Sequence, residues 1–269
     1  MSTLDVIEIA CSPFTDQRPG TAGLRKKVSV FSQAHYLEMF AQAVFTTLRL
    51  PAGARLVIGG DGRYFNREAI QRLMAVAVAN GVQEIIVGQH GLLSTPAASH
   101  LIRQRRASAG FILTASHNPG GPAGDFGLKF NTPTGGQAPE HVTDEVFRVS
   151  QELTGYRLAA LPDIDLSKIG LIEYGTLRVE IVDPVTDYAR LMESLFDFDR
   201  MANWLGSGRQ LRFDAMHAVT GPYAREILVN RLGAPAGSVI NGVPSEDFGG
   251  HHPDPNPIQA CTQPDKGSQ

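Results

Sequence analysis

Cysteine is almost missing from this chain of 269 residues: Cys11 and Cys261 stand near opposite ends. Two thiols so placed do not make a disulfide framework, and the cytosol is the compartment that fits. No uninterrupted apolar run approaches the ~20 residues of a membrane span. The opening MSTLDVIEIACSPF places acidic residues where a signal peptide has its basic region. Membrane insertion and secretion are therefore not expected. Nor is one sign of charge in excess. Lys and Arg number 24 against 27 Asp and Glu, a formal net charge of −3 with pI ≈ 6.2. Such a balance gives no global reason to expect nucleic acid. Any anion this protein binds must be held by a local arrangement of donors.

What is present is ordinary for a soluble chain, 42% apolar and 19% charged. The length suits one large α/β domain or two smaller ones. From about residue 34 two hydrophobic periods alternate. AHYLEMFAQAVFTTLRL puts Leu37, Phe40, Val44 and Leu48 on one stripe, which predicts an amphipathic helix. ARLVIGGD predicts a buried strand ending at Gly59-Gly60-Asp61. NREAIQRLMAVAVAN predicts a helix stopped by Gly81. QEIIVG predicts a strand, and STPAASHLIRQRRA a helix capped by Ser94 or Thr95 with Pro96 in its first turn. GFILTAS predicts the next strand. The order implies a mixed, mostly parallel sheet with helices on both faces, in which ligands bind beyond the carboxyl ends of strands.

Further along, HVTDEVFRVSQEL predicts a helix, TLRVEIVDP a strand and VTDYARLMESLF a helix. RQLRFDAM, TGPYAREILVNRLGA and GSVING predict one more strand, helix and strand. Residues 1–189 are expected to form a first domain and 190–257 an incomplete second α/β domain of similar type. The second is too short to bury a full core of its own. Residues 258–269 have no periodicity and are expected to be disordered, so the chain is expected to stop partway through a domain.

The segment TASHNPGGPAGDFGLKFN, residues 114–131, follows the GFIL strand. Its poverty of bulky side chains predicts a loop whose backbone comes close to a ligand. A hydrolase elbow G-x-S-x-G fails, because Thr114 and Asn118 hold the glycine positions. A P-loop fails too, since Leu128 separates Gly127 from Lys129 and Phe130 follows the lysine. A Ser116–His117 proton relay is not the natural reading, because sequence neighbours usually point apart. What remains is Ser116 at a strand end with glycine-exposed N–H groups around it and Lys129 downstream, which suits phosphate better than an acyl group. A glycine-rich turn with a solvated serine fits the composition equally well. RPGTAGLRKKV, residues 18–28, reads either as a solvated charge run or as a phosphate clamp, with Arg25 as forked donor and Thr21 as hydroxyl partner.

These segments, with GGDGRYFNREAIQ, FDAMHAVTGPYAREIL and FGGHHPDPNP, closely resemble the phosphoglucomutases of the α-D-phosphohexomutase superfamily, over about residues 12–257. The resemblance implies interconversion of glucose 1-phosphate and glucose 6-phosphate through glucose 1,6-bisphosphate, which is also the activator. It implies that Ser116 is carried as phosphoserine and binds one Mg2+ through its phosphate. Lys129 and Arg25 match residues beside the transferring phosphoryl group, and His117 matches a histidine near the sugar hydroxyls that can carry a proton. Thr21 and Asn118 are the further phosphate-binding candidates. Ala22 stands where many relatives have serine.

The same resemblance points to gaps. The D-G-D-G-D-R loop that holds magnesium does not occur, and the Asp163/Asp165 and Asp197/Asp199 pairs supply too few carboxylates. His251, His252 and Asp254 match a family connector rather than a metal cluster. The loops that recognise the sugar hydroxyls and grip the non-transferring phosphate are not found either. The expectation is a cytoplasmic phosphoglucomutase-type chain, shortened and weakly active or inactive. The alternative is a non-catalytic sugar-phosphate-binding or interaction protein derived from a mutase first domain. A serine hydrolase is a third and poorer reading. Small-molecule sugar phosphates are the expected partners, with neither nucleic acid nor membrane, and oligomeric state is left open.

Overall fold

A computed structural model describes residues 4–20 and 23–250. Strand β1 is Val6–Ala10 and β2 is Leu24–Lys27, followed by the short helix α1, Val28–Phe31, and α2, Tyr36–Leu48. Next come β3 (Ala54–Gly60), α3 (Asn66–Ala79), β4 (Val82–Leu92), α4 (Thr95–Gln104), β5 (Ala109–Leu113) and β6 (Asp125–Asn131). Helix α5 is Glu140–Glu152, β7 Gly155–Ala159, β8 Gly170–Tyr174 and β9 Leu177–Val182. Seven of these strands form one sheet in the order β2-β6-β5-β3-β4-β9-β8. Its four central strands, β5, β3, β4 and β9, run parallel, and the antiparallel pairs lie at the edges. β1 pairs with β7 in a separate two-stranded ribbon.

β3 is buried nearly throughout, and its apolar run from Leu56 to Gly60, broken only by Arg55 before it, suits a central parallel strand. α4 starts as its cap residues predict. The Ser94 side chain accepts from the Ala97 N–H at 3.4 Å, and Pro96 sits in the first turn. α2 departs from the expected amphipathic pattern, for Tyr36 to Phe45 are buried without a break. It packs against α3, α5 and β7, which leaves its first three turns no solvent side. Its polar residues are therefore paired. Glu38 accepts from Arg72 Nε at 2.6 Å, and Gln42 and Asn80 exchange bonds of 2.9 and 3.0 Å.

The largest difference from the sequence reading concerns residues 125–131. They are not loop; they form β6, antiparallel to both β5 and β2. Phe126, Leu128 and Phe130 enter the main core, and the intervening residues face the other way. Glycine at 127 makes this strand possible. A Cβ there would stand 2.3 Å from the Thr114 carbonyl oxygen and 3.2 Å from Ala115 Cα, both main-chain atoms. Gly127→Ala should therefore cost at least about 2 kcal/mol. That lowers Tm by about 4–8 °C in a domain of this size. A thermal melt checks it, and an unaltered Tm would mean that β5 and β6 separate freely.

Helix α6, Thr186–Leu195, packs on α4 and spans the expected boundary at residue 189. Helix α7 is Phe198–Gly206, with Asp197 capping it by accepting from Arg200 N–H at 2.9 Å. The three later elements are shorter or more irregular than predicted. β10 is only Phe213–Asp214 and β11 only Val239–Ile240, paired in parallel, and α8, Thr220–Ala224, continues as a wider π-helical stretch over Arg225–Arg231. This segment borrows a core. Val219 and Tyr223 pack with Leu93, Ala97, Leu101 and Ile102 of the first unit, and the Tyr223 hydroxyl accepts from the Ser94 N–H at 3.0 Å. No helix among the described residues is long and apolar enough to cross a membrane.

Candidate active site

Sheet register builds the site. Arg25 on β2 is paired with Gly127 on β6, and Lys129 lies two residues further along β6. Paired residues share a face and so do residues two apart, so the two cations stand on one face. Gly127 between them carries no side chain to fill the gap. The chain leaves β5, passes Thr114 and Ala115, and sets Ser116 over that gap in the left-handed region, at φ 55°. Ser116 Oγ accepts from Arg25 Nη2 at 2.7 Å and from Lys129 Nζ at 3.4 Å. Two cations on one hydroxyl oxygen favour negative charge there, each interaction worth about 4 kcal/mol per unit charge near a protein surface.

The two cations differ in setting. Arg25 is half-buried, and its Nε–H finds no acceptor among the described residues although the atom is buried. Lys129 is 7% exposed. Burial pushes its ammonium below the ordinary lysine value, and the Arg25 charge pushes the same way; Asp61 opposes both, and Arg63 adds to the lowering. Among the described residues, then, two cations meet at Ser116 Oγ, while the nearby Asp61 carboxylate is paired with Arg63.

Beneath it lies a pair the sequence reading did not single out. Arg63 is 1% exposed, and its guanidinium meets the Asp61 carboxylate through Nε at 3.0 and 3.1 Å and through Nη2 at 2.9 Å. Asp61 also accepts from the Thr114 hydroxyl, whose oxygen in turn accepts the Ser116 N–H at 3.0 Å. Arg63 and Asp61 lie within GGDGRYF, a run whose only local signal is a strand ending in glycines. Nothing in that spacing says the arginine is buried.

His117 is exposed and lines the same cavity as Ser116, of about 360 Å³, with Asp61, Thr95, Thr114, Met216 and Phe248. Asn118 serves the loop: its Nδ2 donates to Asp125 Oδ2 at 2.9 Å. Of the six candidates, Ser116, Arg25 and Lys129 are brought into contact, His117 onto the same cavity, and Asn118 against Asp125. Thr21 lies outside the described residues, as do His251, His252 and Asp254. Asp165 binds the Ser167 N–H and hydroxyl at 3.0 and 2.6 Å in an exposed turn.

A divalent cation does not fit this donor set. The side chains on Ser116 Oγ are themselves cations, and the nearby carboxylate of Asp61 is already paired with Arg63 and Thr114. Among the described residues no group of three or more His, Cys, Asp or Glu could hold a metal.

Residues 16–157 match the family model of the phosphoglucomutase/phosphomannomutase α/β/α domain I. The chain belongs to this family. A phosphoglucomutase of Rhizobium radiobacter is 53% identical over 252 residues, 94% of this chain and 46% of the relative. The chloroplastic phosphoglucomutase of Arabidopsis thaliana is 50% identical over 94% of this chain and 41% of its own. The chain thus spans about half the length of the curated relatives it matches. Among solved structures, the open form of the exocytosis-sensitive phosphoprotein pp63/parafusin from Paramecium, a phosphoglucomutase, superposes with a TM-score of 0.92 at 44% identity. That match covers 97% of this chain and 49% of the other. The mixed α/β fold with helices on its sheet is that of phosphoglucomutase.

Proposed function

We propose that this chain carries the phosphoserine centre of a phosphoglucomutase and that Ser116 is the residue phosphorylated. The observation that carries the reading is the pair of bonds from Arg25 and Lys129 to Ser116 Oγ, beside an Arg25 Nε–H that has no acceptor among the described residues. In the proposed step Ser116 Oγ attacks a phosphorus of glucose 1,6-bisphosphate. A P–Oγ bond forms, the bond from phosphorus to the sugar oxygen breaks, and the hydroxyl proton ends on the sugar oxygen. His117, on the same cavity, is the group proposed to carry that proton. The reverse step passes the phosphoryl group to either end of a glucose monophosphate.

Lys129 and Arg25 lie where charge develops as the phosphoryl group moves, and phosphoryl transfer depends chiefly on such positioning and neutralisation. No step is assigned to magnesium, for which the described side chains form no site. Small sugar phosphates are the proposed substrates and the cytosol the proposed setting. Some relatives are named as chloroplastic. A coupled assay of glucose 1-phosphate conversion, with a trace of glucose 1,6-bisphosphate, tests the reading. Formation of glucose 6-phosphate is expected to require the bisphosphate. A chain that binds the sugar phosphates but neither turns them over nor accepts phosphate would be a binding protein instead.

A further inference from the structure

The buried arginine under the serine loop has more partners than charge pairing requires. Besides Asp61, Arg63 donates through Nη2 to the Ser116 carbonyl at 2.9 Å and through Nη1 to the Asp125 carbonyl at 2.8 Å, with the Asn118 carbonyl at 3.5 Å. Residues 116 and 125 bracket the glycine-rich turn, so one planar group ties its two ends together. The guanidinium carbon also lies 5.2 Å from the centre of the Phe248 ring. Phe248 belongs to the segment that reaches back over the loop, where the Glu246 carbonyl accepts from both Tyr64 N–H and Gly121 N–H at 2.9 Å.

We propose that Arg63 is a positioning residue that holds the Ser116 hydroxyl at the two cations. Ser116 sits in the left-handed region, which costs a non-glycine residue about 1–2 kcal/mol and persists only when its surroundings impose it. Its N–H is fixed by Thr114 and its carbonyl by Arg63, and Asp61 anchors both of these partners. Releasing the carbonyl lets the peptide rotate and swings Oγ away from Arg25 and Lys129. Arg63 does not line the Ser116 cavity, so its effect on chemistry runs through the loop and not through substrate. A lysine cannot replace it, because a single ammonium cannot bridge two carbonyls and a carboxylate in one plane.

The test compares the full chain with Arg63→Gln and Arg63→Lys. Phosphate uptake from glucose 1,6-bisphosphate, followed by intact mass over time, gives a rate constant and a final stoichiometry; this arm rests on the function proposed above. The rate constant is expected to fall about 100-fold in Arg63→Gln and at least about 10-fold in Arg63→Lys, with one phosphate per chain still reached. A merely structural role would lower the final stoichiometry and leave the rate constant of the folded fraction alone, and that result overturns the proposal. So does a rate within threefold of the parent in either variant. Should Arg63→Gln fail to fold, Arg63→Lys decides.

Hydrogen exchange is the second arm and needs no activity. The amides of Ser116, Asn118, Gly121 and Tyr64 should exchange at least about 10-fold faster in the variants, while those of β3 and β5 keep their protection. Unchanged loop exchange overturns the proposal. If the parent chain takes up no phosphate, the proposed function fails, and exchange alone then decides the role of Arg63.

Discussion

Ser116→Ala is expected to abolish phosphate uptake from glucose 1,6-bisphosphate and to leave Tm where it was. The two halves of this expectation have separate grounds. Ser116 is exposed, and its hydroxyl fills no cavity in the core, so its loss removes no buried packing. Alanine bears the left-handed backbone as well or as badly as serine, so the strain at φ 55° is unaltered. Loop amides that report on Arg63 should stay protected for the same reason. Chemistry, by contrast, has no substitute oxygen, and loss of a nucleophile commonly lowers rates by a factor on the order of 10⁴ or more. Intact mass over hours measures the uptake and calorimetry the stability. Uptake that continues in this variant would move the centre to another hydroxyl.

Lys129→Met should act in opposite directions on activity and stability. Loss of a cation beside a transferring phosphoryl group is expected to slow phosphate uptake by about 10²–10³-fold. The same change should raise Tm. Lys129 is nearly buried, and its folded-state pKa is lowered, first by burial and then by the neighbouring Arg25 charge. A basic group with a lowered folded pKa opposes folding while protonated in the folded state. That cost is relieved as pH rises through the folded pKa and has gone above the ordinary lysine value. The Tm advantage of Lys129→Met should therefore be largest near neutral pH and shrink in alkaline buffer. Melts of both chains across that range measure it. A variant less stable than the parent at neutral pH would mean that the ammonium is better paired than its surroundings indicate. A phosphate on Ser116 should reverse the balance, since it supplies the anion that the cluster lacks.

Much of the fold could be read directly. The central strand of the sheet declares itself by the apolar run from Leu56 to Gly60, and α4 by Ser94 and Pro96 at its start. Strand β6 could not be read in this way. Its glycine and polar residues alternate with Phe126, Leu128 and Phe130, but a glycine-rich run precedes them and hides the period. The sequence pattern therefore puts Lys129 in a loop, whereas the register of β6 against β2 sets it beside Arg25. The spacing between Arg25 and Lys129 along the chain carries none of that information. Arg63 is hard to read for a related reason: Asp61 stands only two residues away, but the carbonyls of Ser116 and Asp125 that complete its burial lie 53 and 62 residues along the chain.

The later residues show the opposite failure. RQLRFDAM and GSVING have strand-like patterns, yet only two residues of each pair. Helix α7 buries none of its residues, and Trp204 on it is 49% exposed. Val219 and Tyr223 are buried in the cluster that α4 lines, and Phe248 under the Arg63 guanidinium. Local pattern without a partner surface makes short elements, and the partner surface is a property of the fold and not of the pattern.

The direct measurement is the position of the phosphate. The chain is incubated with glucose 1,6-bisphosphate, digested and fragmented in the mass spectrometer. A single phosphoryl group on Ser116, in near one-to-one amount, is the predicted result. Phosphate on a different residue, or none on a chain whose melt shows it folded, would contradict the claim that Arg25 and Lys129 make this serine a phosphoryl acceptor.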